Sequence, residues 1–115
     1  MSYDLGQING DFMAEKSKVK ITVLKRLNTR DVFGDSPPPD QFSEACSAFE
    51  EGQEFIVGDE GGMPEGFCYW AWNDLFTVVA MLRYGAGVSK KGKETPKVRC
   101  CTDGLRPVVF SIERI

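Results

Sequence analysis

The amino-acid sequence predicts a single small α+β domain, a mostly antiparallel sheet of about four strands with one long helix and one short one. Three observations carry that expectation. Short runs of alternating apolar and polar residues lie towards both ends of the chain, with the period of half-buried strands. Between them, residues 68–84 hold the longest run with helical spacing. The length, 115 residues, suits one hydrophobic core but not two.

Taken in order, residues 1–17 show no sustained period and carry Gly6 and Gly10 among scattered charges. They read as a poorly ordered leader to a domain spanning 18–115, and Met13 is an alternative start to Met1. Val19, Ile21 and Val23 then alternate with Lys18, Lys20 and Thr22, which predicts a strand over 18–26. From Asn28 to Asp40, Gly34 and the triplet Pro37-Pro38-Pro39 predict an extended surface loop, because consecutive prolines bring no N–H donors to a helix or an inner strand. Phe42, Ala45, Cys46 and Phe49 fall three and four apart, predicting a short helix over about 41–50 that ends at Gly52. Glu54-Phe-Ile-Val57 reads as a second strand and Gly58–Pro64 as a loop.

In the long helix, about 68–84, Cys68, Trp72, Leu75, Val79 and Leu82 form one stripe, with Gly85 where a left-handed cap is usual. Trp70, Phe76, Val78 and Met81 fall outside it, so the helix reads as apolar and buried on more than one side. In so small a domain the second side implies another subunit, a homo-oligomer formed through this helix. The chain closes with strands near Val98–Thr102 and Val108–Arg114. A two-residue Asp103-Gly104 turn would put Pro107 inside the ladder, where it cannot donate. A five-residue loop, Asp103–Pro107, avoids this and sets Val98 and Cys100 on the face of Val108, Phe110 and Ile112.

Composition narrows the function classes. Hydrophobic residues at 42% and charged residues at 27% suit a globular chain. A formal charge of −3 argues against nucleic acid, and Lys90, Lys91 and Lys93 read as a solvated loop beside Gly87, Gly92 and Pro96. No run approaches the ~18 apolar residues that span a bilayer, so no membrane association is expected. The N-terminus has no basic-then-apolar signal pattern. A cytoplasmic setting follows as the expectation, in which the cysteines are thiols. The chain contains no histidine, which removes the commonest general base, every Ser-His or Cys-His pair and the mixed Cys/His zinc sites.

Three groups carry candidate chemistry. Cys46, Cys68, Cys100 and Cys101 are enough thiols for zinc or an iron–sulfur cluster, yet their spacing lacks the paired knuckles of common sites. Adjacent side chains in a regular strand point to opposite faces, so Cys100 and Cys101 reach one metal only if the backbone departs from the strand. Cys68 stands at a helix start, a position that favours a reactive thiol. The plainer alternative packs all four as small hydrophobes. In the loop Asp103-Gly-Leu-Arg-Pro107, Arg106 offers a fork for a carboxylate or phosphate, with Asp103 holding it; equally, Asp103 caps the turn and Arg106 makes a structural ion pair. In Phe67-Cys-Tyr-Trp-Ala-Trp72, Trp70 and Trp72 either wall a ligand pocket or belong to core or interface. Glu50, Glu51 and Glu54 read as a solvated acidic edge.

Glu51-Gly-Gln-Glu-Phe55, Pro64-Glu-Gly-Phe-Cys-Tyr-Trp-Ala-Trp72 and Cys100-Cys-Thr-Asp-Gly-Leu-Arg-Pro-Val-Val-Phe110 together resemble a small prokaryotic protein family of no established activity, associated mainly with anaerobic bacteria and archaea. The likeness runs from about Val19 to Arg114, and residues 1–12 look like an extension to it. The resemblance implies that Cys46, Cys68, Cys100, Asp103, Gly104 and Arg106 belong to a shared pattern, and it carries no reaction. The expected function is therefore a thiol-based metal-binding or redox-reactive site formed by Cys68 with Cys100 or Cys101, near Asp103 and Arg106. Two alternatives stay open: a non-catalytic oligomeric module with packed cysteines, and a small-molecule enzyme or sensor with its pocket beside Trp70 or Trp72.

Overall fold

The computed structural model describes residues 16–39, 44–85 and 95–115. Residues 1–15, which make up most of the expected leader, and the lysine cluster at 90–93 lie outside the described residues. Four strands, β1 (Val19–Arg26), β2 (Glu54–Val57), β3 (Lys97–Cys100) and β4 (Val108–Arg114), form one sheet in the order β2-β1-β4-β3, with every neighbouring pair antiparallel. The two long strands, from opposite ends of the domain, pair at its centre, with Ile21 opposite Ile112 and Val23 opposite Phe110. Opposed residues share a face, so the apolar alternation of both strands builds one continuous inner surface.

The helix α2 (Tyr69–Arg83) covers that surface. A short helix, α1 (Thr29–Phe33), precedes it in the chain. Ala71, Leu75, Val78, Val79 and Leu82 of α2 are buried against Val19, Ile21, Val57, Phe110 and Ile112. Burial of each larger side chain in this set contributes about 1.5–3 kcal/mol. Phe49, Phe55, Phe67 and Phe110 meet edge to face or tilted, with ring centres 4.9–5.8 Å apart.

Several expectations are corrected. α2 is not buried all round: Tyr69 is 79% exposed, Trp70 75% and Phe76 50%, while Val78 joins the core. Its outer face carries Tyr69, Trp70 and Phe76 beside the exposed Asn73, Thr77 and Met81, with no exposed charge. No helix forms over 44–50; residues 41–43 lie outside the described ones. There the backbone is committed elsewhere. The Cys46 carbonyl accepts from Arg26 Nη1 at 3.1 Å, Gly52 N–H donates to Val23 O at 2.7 Å, and a turn at Glu50–Gln53 leads into β2. The second helix is α1, inside the stretch read as an extended loop. Asn28 and Asp31 form a reciprocal capping box at its start, at 2.8 and 2.9 Å.

The β3–β4 register also differs. Cys100 pairs with Val109 and Val98 with Ser111, so both side chains lie on the outer face, and Cys101 N–H donates to Val108 O at 3.0 Å. The connection is one residue longer than expected, Thr102–Pro107. A slip of one residue exchanges the faces of a whole strand. β1 carries a second irregularity. Leu24 is an extra residue between Val23, opposite Phe110, and Lys25, opposite Val109. This bulge turns Lys25 outward and brings Arg26 opposite the buried Val108.

The C-terminal end of α2 is closed by polar contacts. Arg83 O accepts from Ser17 N–H at 2.8 Å, Leu82 O accepts from Arg114 Nη1 at 3.0 Å, and Gly85, at φ +82°, takes the left-handed conformation expected of it. The Arg83 side chain is buried beneath the 58–62 loop, where it donates to Asp59 O. Gly61, at φ +74°, passes so close to the guanidinium that a Cβ would collide with it.

Candidate functional site

At the other end of α2 lies a cavity of about 350 Å³. Three separate stretches enclose it. The 46–49 segment gives Cys46 and the ring of Phe49; the start of α2 gives Cys68, Trp70 and Ala71; the β3–β4 connection gives Cys101 to Asp103, Arg106 and Val108. Three of the four cysteines thus meet one space, each half-buried and each a free thiol.

Each thiol arrives for a different local reason. Cys68 is the N-cap of α2, in an extended conformation, and its side chain makes no capping hydrogen bond. Its sulfur is therefore not consumed by the helix end, as a serine or aspartate there would be. Cys101 follows the last residue of β3 and turns inward; its sulfur accepts from Val108 N–H at 3.4 Å. Cys46 is held through its carbonyl by Arg26, which the β1 bulge places on the inner face.

The loop that carries Arg106 is organised by two carboxylates. Asp103 Oδ1 accepts from Leu105 N–H at 2.9 Å and from Arg106 N–H at 3.1 Å, while its Oδ2 stands 3.5 Å from Arg106 Nε. Asp103 therefore closes the turn and pairs with the Arg106 guanidinium, an arrangement common to both alternatives drawn from the sequence. Asp74 Oδ2 accepts from Thr102 N–H at 2.6 Å and ties the loop to α2. In the sequence Asp74 has no visible role, because nothing local marks a partner 28 residues away.

Of the predicted residues, Cys46, Cys68, Cys101, Asp103, Arg106 and Trp70 come together. Cys100 does not, being exposed on the opposite face of the sheet. Trp72 does not line the cavity either; it packs on the rings of Phe67 and Phe76 at 6.2 and 5.8 Å. Zinc and iron–sulfur sites require three or four donors converging on one point. Among the described residues no group of three or more Cys, Asp or Glu is so placed, so these thiols, though they share a cavity, do not fit a resident metal. Nor does any helix among the described residues have the length and apolarity to cross a membrane. Glu54 pairs with Lys20 across the outer face and Glu51 accepts from Arg26 N–H, which gives both acids structural partners.

The cavity thus brings together three thiols, a guanidinium paired with Asp103 and an indole. Compared with protein-family profiles, curated proteins and solved structures, the chain matches none.

Proposed function

We propose that the cavity is a thiol-bearing ligand site, in which Cys68 and Cys101 present reactive sulfur and Arg106 anchors an anionic small molecule. One observation carries the reading: two sequence motifs about thirty residues apart, Phe67-Cys68 and Cys101-Thr-Asp-Gly-Leu-Arg106, converge on a single cavity that Cys68, Cys101 and Arg106 all line. Its volume falls in the range of small-molecule sites. Both lie within longer stretches, Pro64–Trp72 and Cys100–Phe110, that carry part of the resemblance to the anaerobe-associated family. A reducing cytosol is the setting that keeps such thiols reactive.

Competitive alkylation tests this. Iodoacetate and iodoacetamide differ in charge and share the reacting carbon. With the exposed Cys100 as internal reference, Cys68 or Cys101 favours iodoacetate, and Arg106→Gln abolishes that preference. Equal charge selectivity at all four thiols, read by peptide mass mapping, would overturn the reading.

A second reading, an oligomeric module in which α2 is the subunit contact, is supported by the exposed Tyr69, Trp70 and Phe76. Sedimentation of the wild type against Phe76→Glu separates it from the first: an assembly dissolved by the substitution, with alkylation unchanged, favours the module.

A further inference from the structure

Resting on the ligand-site reading above, we infer that Cys68 is the nucleophile of the cavity and that its ligand class is the small 2-oxo acids, captured as reversible thiohemiacetals or thiohemiketals with the carboxylate on Arg106.

The choice among the thiols follows from the contacts each cysteine already makes. Cys101 Sγ is the acceptor for Val108 N–H, and a new bond there would perturb the closing pair of the β3–β4 connection. Cys46 sits on a segment whose carbonyl is clamped by Arg26, across from the helix. Cys68 lines the cavity and spends nothing on capping α2.

The choice among reactions follows from proton accounting. The chain has no histidine, and the one carboxylate among the described cavity residues, Asp103, is engaged by two backbone N–H groups and by Arg106. The cavity is thus poorly equipped to pull a proton from carbon or to activate water. Thiol addition to a carbonyl needs no separate base. The S–C bond forms, the C=O π bond breaks, and the thiol proton ends on the former carbonyl oxygen. No electrons leave or enter, so no oxidant is required, in contrast to disulfide chemistry. A 2-oxo acid joins in one small molecule the electrophilic carbon that Cys68 needs and the carboxylate that a guanidinium fork recognises. Trp70 at the rim, 75% exposed, is positioned to report occupancy through its fluorescence.

The test uses the full chain with ¹³C-labelled glyoxylate and pyruvate. The expected result is a new ¹³C signal at the shift of a sulfur-bearing thiohemiacetal or thiohemiketal carbon, distinct from the free carbonyl and from its hydrate, which loses water on capture. That signal is lost in Cys68→Ser and Cys68→Ala and kept in Cys101→Ser. Arg106→Gln weakens glyoxylate capture about ten- to a hundredfold, the usual loss for a charge-assisted contact, and leaves capture of the neutral acetaldehyde unchanged. Far-ultraviolet circular dichroism checks that each variant is folded. An adduct that persists in both Cys68 variants, or an Arg106→Gln effect equal for acid and aldehyde, overturns the assignment. If the iodoacetate preference is present and neither oxo acid is captured, the ligand class falls and the thiol–anion site stands; if both are absent, both fall.

Discussion

At its C-terminal end α2 is sealed by the main chain of Ser17, the side chain of Arg114 and a buried arginine under a glycine loop, whereas its N-terminal end opens onto a cavity lined by thiols. Both ends leave backbone groups without helical partners. One satisfies them with polar contacts from distant segments; the other begins on a cysteine that caps nothing. The closed end fixes where the helix lies, and a helix fixed there can leave its other end for chemistry.

Substitutions at the two ends sharpen this contrast. The largest effect is expected at Phe49, 3% exposed, which lies against the cavity and contacts the rings of Phe55, Phe67 and Phe110. Phe49→Ala should cost about 3–5 kcal/mol in urea unfolding, and a cost near zero would mean that the open end is not supported by this cluster. Gly61→Ala comes next. It sets a Cβ against the Arg83 guanidinium in a backbone conformation that L-residues rarely adopt, for about 1–3 kcal/mol, with Cys68 alkylation unaffected. Loss of stability and of alkylation together would show that the two ends are coupled.

Asp103→Ala removes the acceptor for two N–H groups and should cost about 1 kcal/mol. Its clearer signature is at the open end, where loss of the iodoacetate preference is expected because Arg106 is no longer aimed. The smallest effect belongs to neither end. On the outer face Lys20 lies 3.1 Å from Glu113 and 3.6 Å from Glu54, and its hydrogen bond to Glu113, then the charges of both acids, raise its pKa above the ordinary 10.5. A raised lysine pKa stabilises the fold fully below that ordinary value and ceases to do so as pH climbs through the higher folded value. The gap in Tm between wild type and Lys20→Met should therefore be small and level near neutrality, then close at strongly alkaline pH.

Much of the frame was legible in the sequence because period and punctuation are local. Val19, Ile21 and Val23 alternate, Leu75, Val79 and Leu82 follow the helical spacing, and Gly85 caps where it stands. The errors came where the deciding contact is remote. The segment around Cys46 has helical spacing, but its backbone answers to Arg26 and Val23. Nothing in the 67–72 motif says that Trp70 faces outward, since that depends on which side of α2 the sheet takes. The capping box of α1 was a local signal present in the sequence, overshadowed by the prolines that follow it. The site was half legible. Cys68, Asp103 and Arg106 came from their motifs, but the choice of Cys101 over Cys100 hung on one residue of loop length.

That last dependence has an evolutionary side. With adjacent thiols at the end of β3, the parity of the Thr102–Pro107 connection decides which of them meets the cavity and which meets solvent. Point substitution cannot reverse that choice, but a single-codon insertion or deletion would. Lineages of such a chain would be expected to hold the length of this connection constant.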